Sequence, residues 1–243
     1  MKRLAATIFA ALAFAGAAEA QPKWTSYSLV AVTIPKEPSD PALAVFRATL
    51  AEIARKKDSD ALPKLVAKDF FWERDFGGSY EKKKSPFINL ATALNLAAAD
   101  DSGWRLLAAF AEQAPGPHEK KRGTFCGPPE AKYNDKAFEK LLKDTNSDVF
   151  DWSYPAHAHV IVREKGESGS PEIAKLTFNF VFTDLSARTE KFDFTKDWTQ
   201  VILPDGKRGF VAPSELYTPL DPRLCFVKRD GNWLIAGYVG GGD

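Results

Sequence analysis

Apolar residues recur every three or four positions through the first half of the chain, which is the period of an amphipathic helix. This spacing predicts five helices, which begin near Asp40, Ser59, Ser85, Trp104 and Asn134. Four of these residues are of the types that cap a helix N-terminus, and proline follows both Asp40 and Ser85, as is typical of a first helical turn. Residues 21–147 are therefore expected to form a mainly helical region.

The pattern changes after residue 147, where short apolar runs alternate with turn signals rich in glycine, proline and aspartate. Strands are predicted at residues 159–163, 173–182, 198–203, 208–212, 224–228 and 233–239. Runs of this length and spacing are typical of a small all-β unit. The predicted fold class is thus α+β, with a helical N-terminal region followed, in residues 148–243, by a small β-barrel and a C-terminal β-hairpin.

The second half also carries a recognisable combination of short motifs. They are V-R at the end of residues 159–163, I-x-x-L at 173–176, W-x-x-V at 198–201, a D-G turn at 205–206 and G-F-V at 209–211. In this order they resemble a bacterial SH3 domain over residues 157–217. The charged stretch between Val181 and Trp198 is longer than is usual in that family.

This resemblance implies a small β-barrel of a kind often found outside the cytoplasm, which binds cell-wall peptide or another protein. Trp198 and Phe210 are expected in the barrel core, on the inward face of the alternating apolar pattern. Aromatic residues outside this alternation are the candidates for a ligand-binding groove: Tyr154, Phe192, Phe194 and Tyr217.

Residues 223–239 predict a hairpin around a second D-G turn, at Asp230-Gly231. This ending resembles the last strands of nuclear-transport-factor-2-like (SnoaL-like) domains, and residues 40–76 have the order of elements with which those domains begin. Two arrangements remain open. The barrel is inserted into an α+β unit whose final hairpin returns at the C-terminus, or the hairpin extends the barrel sheet.

The first twenty residues predict a signal peptide. Lys2 and Arg3 precede an apolar run from Leu4 to Ala15, and Ala18-Glu19-Ala20 fits the small-x-small rule for cleavage before Gln21. With a formal net charge of +1, the chain gives no electrostatic case for binding nucleic acid, and no membrane insertion is expected after cleavage. A periplasmic or secreted protein is the expectation.

Cys126 and Cys225 are the two cysteines of the chain, and an oxidising compartment favours joining them in a disulfide. Such a bond would close a loop for which the chain-entropy model gives roughly 4–5 kcal/mol of stabilisation. The alternative is two separate buried thiols.

Motifs for catalysis are not apparent in the sequence. Cys126 lies in Phe-Cys-Gly-Pro-Pro, where proline prevents the helix whose N-terminus would activate a thiol, and nucleophile-elbow, P-loop and dinucleotide fingerprints do not occur. His118 is expected to be solvated within a charged loop, and His157 and His159 to be surface or turn residues. No metal and no cofactor are therefore expected.

One polar and aromatic cluster, at residues 69–76, offers an alternative site. If this segment is a strand, Asp69, Glu73 and Asp75 share one face, where neighbouring carboxylates could raise each other's pKa and act as acid and base in a cavity. The other interpretation is a solvated acidic edge with the aromatic residues in the core.

The sequence thus favours a non-enzymatic binding or scaffold protein that recognises a peptide, a cell-wall component or another envelope protein. An α+β enzyme or small-ligand binder with a cavity at Asp69, Glu73 and Asp75 is the alternative.

Overall fold

The computed structural model describes residues 26–73, 81, 83–187, 192 and 196–240, and the predicted signal peptide and Asp75 lie outside these ranges. The described residues contain four α-helices and three sheets, which confirms the α+β class. The helices are α1 (Pro41–Lys56), α2 (Pro86–Ala93), α3 (Ser102–Glu112) and α4 (Asp135–Thr145). No helix within the described ranges has the length and apolar character needed to cross a membrane.

The helix starts follow the predicted capping chemistry. The side chains of Asp40, Ser85 and Asn134 each accept a backbone N–H from the first turn of the helix that they precede. The segment after Ser59 differs from its prediction, because it forms a short 3₁₀ turn at Leu62–Leu65 that leads directly into a strand.

The first unit is a five-stranded sheet with α1, α2 and α3 on one face. Its strands, in spatial order, are β2 (Val66–Glu73), β14 (Asn232–Val239), β13 (Arg223–Arg229), β4 (Thr124–Gly127) and β3 (Gly116–Pro117). Phe70 and Trp72 of β2 point to the helices and are 3% and 4% exposed. Each contributes about 1.5–3 kcal/mol through burial of its side chain.

The C-terminal hairpin lies at the centre of this sheet. β14 pairs in parallel with β2, with Gly237 opposite Phe71, while β13 pairs antiparallel with β4. Of the two arrangements that the sequence leaves open, strand pairing shows the return of the hairpin to the helical region. The division into residues 21–147 and 148–243 therefore does not follow the sheets.

Cys126 and Cys225 form a disulfide, as predicted. They are directly opposite each other in β4 and β13, and both are almost fully buried. The bond thus fastens the returning hairpin to a strand that lies 99 positions earlier in the chain.

The second unit is a seven-stranded antiparallel sheet built between β4 and β13. Its spatial order is β12 (Leu216–Tyr217), β6 (Trp152–Pro155), β9 (Val181–Thr183), β10 (Thr199–Ile202), β11 (Arg208–Val211), β7 (Val160–Arg163) and β8 (Glu172–Leu176). β12 and β8 are the two ends of this order, so pairing among the described strands does not close the sheet into the expected barrel.

Residues 26–34, which we call the N-terminal segment, lie against the second unit. The Tyr27 hydroxyl donates to the Ile202 carbonyl at 2.8 Å, and Val32 N–H donates to the Phe178 carbonyl at 2.9 Å. Within this segment β1 (Val32–Thr33) pairs with β5 (Lys132–Tyr133), which leads into α4. The second unit is thus built from two separate stretches of the chain.

Trp198 and Phe210 do not lie in the core as expected. Phe210 is half-buried, whereas its neighbour Val211 is fully buried together with Val201. Side chains alternate along a strand, so Trp198 and Val201, three positions apart, point to opposite faces. Trp198 and Phe210 instead pack under the backbone of the loop at Gly166.

We predict that Gly237→Ala lowers the free energy of unfolding by about 1–3 kcal/mol, because a Cβ at this position would lie 2.5 Å from the ring of Phe71. Removal of that ring by Phe71→Ala should relieve the clash. Urea denaturation of the two single variants and the double variant measures the coupling. Strictly additive effects would contradict the pairing of β14 with β2.

Candidate functional site

Two of the four aromatic residues that the sequence assigned to a groove lie in the interior. Tyr154 is 2% exposed and Tyr217 is 7% exposed, with ring centroids 6.1 Å apart on the neighbouring strands β6 and β12. Phe192 is half-buried, and Phe194 lies outside the described residues. Burial raises the pKa of Tyr217 to about 12, so its hydroxyl stays neutral.

These rings are covered by segments of the same chain. Phe180 stacks on Phe138 of α4 at 4.2 Å between centroids, and Tyr154 meets the edge of Phe180 at 5.9 Å. Tyr27 of the N-terminal segment packs edge-on against Trp152 at 5.0 Å. This face of the sheet is therefore an internal interface, and a peptide that docks along the second unit must use another surface.

Such a surface runs along β8, which stands at the end of the spatial order of the seven-stranded sheet. We call it the β8 groove; its volume is about 310 Å³, and its walls include Leu29, Ile173, Leu176, Phe180, Leu203 and Pro204. Leu29 is 60% exposed and Ile173 is 39% exposed. Both large apolar side chains thus meet solvent at the same groove.

The side chain of Ile173 occupies space that a glycine on β11 leaves open. A Cβ at Gly209 would lie 2.8 Å from the Cδ1 of Ile173 and 2.4 Å from a methyl carbon of Val162, so only glycine leaves room for both side chains. The G-F-V motif therefore shapes one wall of the β8 groove.

Charged side chains stand at the rim of the β8 groove. Lys207 and Asp205 pair at 2.9 Å, which lowers the pKa of Asp205 and raises that of Lys207. Lys175 is exposed on β8, and its Nζ lies 3.9 Å from a carboxylate oxygen of Glu172. The groove therefore combines an apolar floor with a mixed rim that holds two lysines.

Two carboxylates of the alternative site, those of Asp69 and Glu73, face solvent. The side chain of Asp69 is 66% exposed and pairs with Arg229 at 3.1 Å, and that of Glu73 is 45% exposed and pairs with Lys121 at 3.1 Å. Asp75 lies outside the described residues. Asp69 and Glu73 are thus solvated members of ion pairs, whereas their neighbours Phe70 and Trp72 are in the core.

His118 is buried, contrary to the expectation that it is solvated. Its residue is 8% exposed, its Nδ1 accepts the Lys120 N–H at 3.1 Å, and its ring meets Phe71 edge-on. The pairing of β3 with β4 draws the start of this charged loop onto the sheet. Burial lowers the pKa of His118, although the Glu73 carboxylate, 4.0 Å from Nε2, acts in the opposite direction.

The other two histidines are exposed, as expected. Within the described ranges, no group of three or more histidine, cysteine or acidic side chains is placed to hold a metal ion.

The chain was compared with family models, with curated proteins and with solved structures. None of the three comparisons gives a match. Functional inference therefore depends on the geometry described above.

We predict that His118 makes the protein less stable at acidic pH. Its pKa in the folded state lies below the ordinary value of 6.5, so the unfolded chain binds the proton more readily and the free energy of unfolding falls as pH drops below about 6.5. His118→Gln should remove this part of the pH dependence, whereas His157→Gln, at an exposed site, should not. Urea denaturation between about pH 5 and pH 7.5 tests this expectation, which an unchanged slope in His118→Gln would refute.

Proposed function

We propose that this protein is an exported, non-enzymatic binding protein that recognises an extended segment of a partner polypeptide at the β8 groove. The observation that carries the proposal is the coincidence of a sheet edge and an apolar groove. Among the strands that the structure describes, β8 has a neighbour on one side only, and the groove runs along it.

An extended peptide fits this geometry because a strand edge offers regularly spaced backbone hydrogen-bonding groups. Added strands gain affinity from the main chain and specificity from pockets that take alternate side chains. Ile173 and Leu29 provide apolar contacts for such side chains, and the groove volume is at the lower end of the range of ligand pockets.

The second unit already accommodates an extended segment of its own chain. Phe180 N–H donates to the Val30 carbonyl at 3.0 Å, and Val32 N–H donates to the Phe178 carbonyl, next to the β8 groove. The stretch between β8 and β9 thus already binds an extended segment of the chain through backbone hydrogen bonds. The charges at the rim are mixed, because Lys207 pairs with Asp205 and Lys175 lies beside Glu172, so the rim sets no preference for the charge of the partner segment.

The resemblance of residues 157–217 to bacterial SH3 domains supports the same function, since that family binds cell-wall peptide or other proteins. Within these residues the Asp205-Gly206 turn connects β10 and β11 as an antiparallel hairpin, the form that the D-G motif predicts. The disulfide is typical of proteins of an oxidising compartment and supports a periplasmic or secreted location.

The test is a selection of random peptides of about ten residues, displayed on phage, on the immobilised chain without residues 1–20. We expect enriched peptides with alternating apolar positions. Ile173→Glu and Leu29→Glu should each weaken the binding of a synthetic copy of an enriched peptide at least about tenfold, which corresponds to loss of about 1.4 kcal/mol.

The matched controls are Ile88→Glu on α2 and Val45→Glu on α1. Their side chains are 44% and 68% exposed and lie outside the groove, so their variants should bind the peptide like the unaltered chain. Equal losses in test and control variants, or no enriched peptide, would refute the proposal. Retention on purified cell-wall sacculi that is unaffected by Ile173→Glu would likewise refute peptide recognition at the β8 groove.

A further inference from the structure

A second cleft lies where the first and second units meet, away from the β8 groove. It consists of two adjoining cavities of about 190 Å³ and 380 Å³ that share Ala109, Gln113, Ser214 and Tyr217. We call it the inter-unit cleft. Clefts between structural units are common positions for small-molecule sites, and the larger cavity is of the size that such sites have.

The walls of the inter-unit cleft come from both units. The end of α3 contributes Ala109 and Gln113. The turn before β12 contributes Ser214, and β12 itself contributes Tyr217. Apolar residues fill most of the remaining wall: Ile34, Pro35, Leu106, Phe110, Pro128 and Leu216. A ligand with an apolar body is therefore favoured.

Two residues of this wall carry a polar atom with no hydrogen-bond partner in the part of the chain that the structure describes. One is the side-chain oxygen of Gln113, which is buried. The Tyr217 hydroxyl makes no hydrogen bond with any residue that the structure describes, and its neutral form can accept one. A buried polar atom without a partner costs about 1–3 kcal/mol, and the Gln113 amide can turn about its last torsion to face a ligand.

The formal charges that line the inter-unit cleft are negative. Glu112 lines the larger cavity and Asp221 the smaller one, while neither lysine nor arginine lines either cavity. Arg47 lies nearby, and its guanidinium donates hydrogen bonds to the Glu37 carboxylate and to the backbone carbonyls of Ala111 and Glu112. His157 at the mouth has its Nε2 3.9 Å from a carboxylate oxygen of Glu215.

We infer that the inter-unit cleft binds a small molecule with an apolar body and a protonated amine. The ammonium group has three donors, and Gln113, Tyr217 and Glu112, which line the larger cavity, each carry a side-chain oxygen that can accept one. An anionic ligand of the same shape is disfavoured by both carboxylates. This inference is independent of the β8 groove and of what binds there.

The experiment uses three probes with the same ring, namely benzylamine, benzyl alcohol and benzoate, added to the isotope-labelled chain with its disulfide intact. We expect benzylamine to shift the backbone amide signals of Ala109, Gln113, Ser214 and Tyr217, with a Kd of about 1 mM for a fragment of this size. Benzyl alcohol should bind more weakly, and benzoate at least about fivefold more weakly than benzylamine.

Glu112→Gln is the sharpest variant because Glu112 is exposed and its replacement keeps the shape of the side chain. This variant should weaken benzylamine binding about threefold or more. It should also reduce the ratio between the Kd of benzoate and that of benzylamine. Glu139→Gln, at an exposed position of α4, is the matched control. It should change neither the Kd of benzylamine nor the ratio of the two Kd values.

Three results would overturn the inference: benzoate that binds as tightly as benzylamine, shifts that map outside the cleft or do not occur, and equal effects of Glu112→Gln and Glu139→Gln. Because all these variants lie outside the β8 groove, peptide binding measured in parallel separates failure of this inference from failure of the proposed function.

Discussion

The parallel pairing of β14 with β2 is the contact on which the arrangement of the whole chain depends. It brings the C-terminal end of the chain beside the first long strand and places β13 against β4, where the disulfide fastens it. The ring of Phe71 lies against Gly237, which makes this a close approach of two strands rather than a loose edge contact. The second unit is consequently held at both of its ends by the first unit.

In the second unit anchored in this way, the aromatic face and the β8 edge differ in what covers them. The aromatic face is filled by α4 and the N-terminal segment, so Tyr154 and Tyr217 contribute to internal packing. The outer edge of β8 has no neighbour among the described strands and lies beside the exposed side chains of Leu29 and Ile173. Binding through this edge needs no rearrangement of the aromatic core, which is why we place recognition there.

Local features were predictable from the sequence because neighbouring residues determine them. The caps at Asp40 and Ser85, the D-G turns and the alternation of Phe70 and Trp72 with Asp69 and Glu73 all follow from short-range chemistry. The positions of Trp198 and Phe210 could also have been predicted, since three-residue spacing places Trp198 and Val201 on opposite faces of a strand.

Contacts between distant segments were not predictable in the same way. Tyr154 looks available in the sequence because Phe180 and Tyr217, whose rings pack against it, come from positions 26 and 63 residues later in the chain. His118 lies in a charged run, and its burial results from the pairing of β3 with β4. The central place of the C-terminal hairpin did leave a signal, because nearly continuous apolar residues in β13 and β14 are typical of strands buried on both faces.

The most direct test of this account is amide hydrogen exchange, followed residue by residue by NMR under native conditions. The amides of β13 and β14 should be protected to the same degree as those of β2 and β4, and Phe70→Leu should accelerate exchange in all four strands together. The amides of β10 and β11 should keep their protection in that variant. If exchange in β13 and β14 instead follows that of β10 and β11 in Phe70→Leu, and not that of β2 and β4, the return of the chain to the first unit is contradicted.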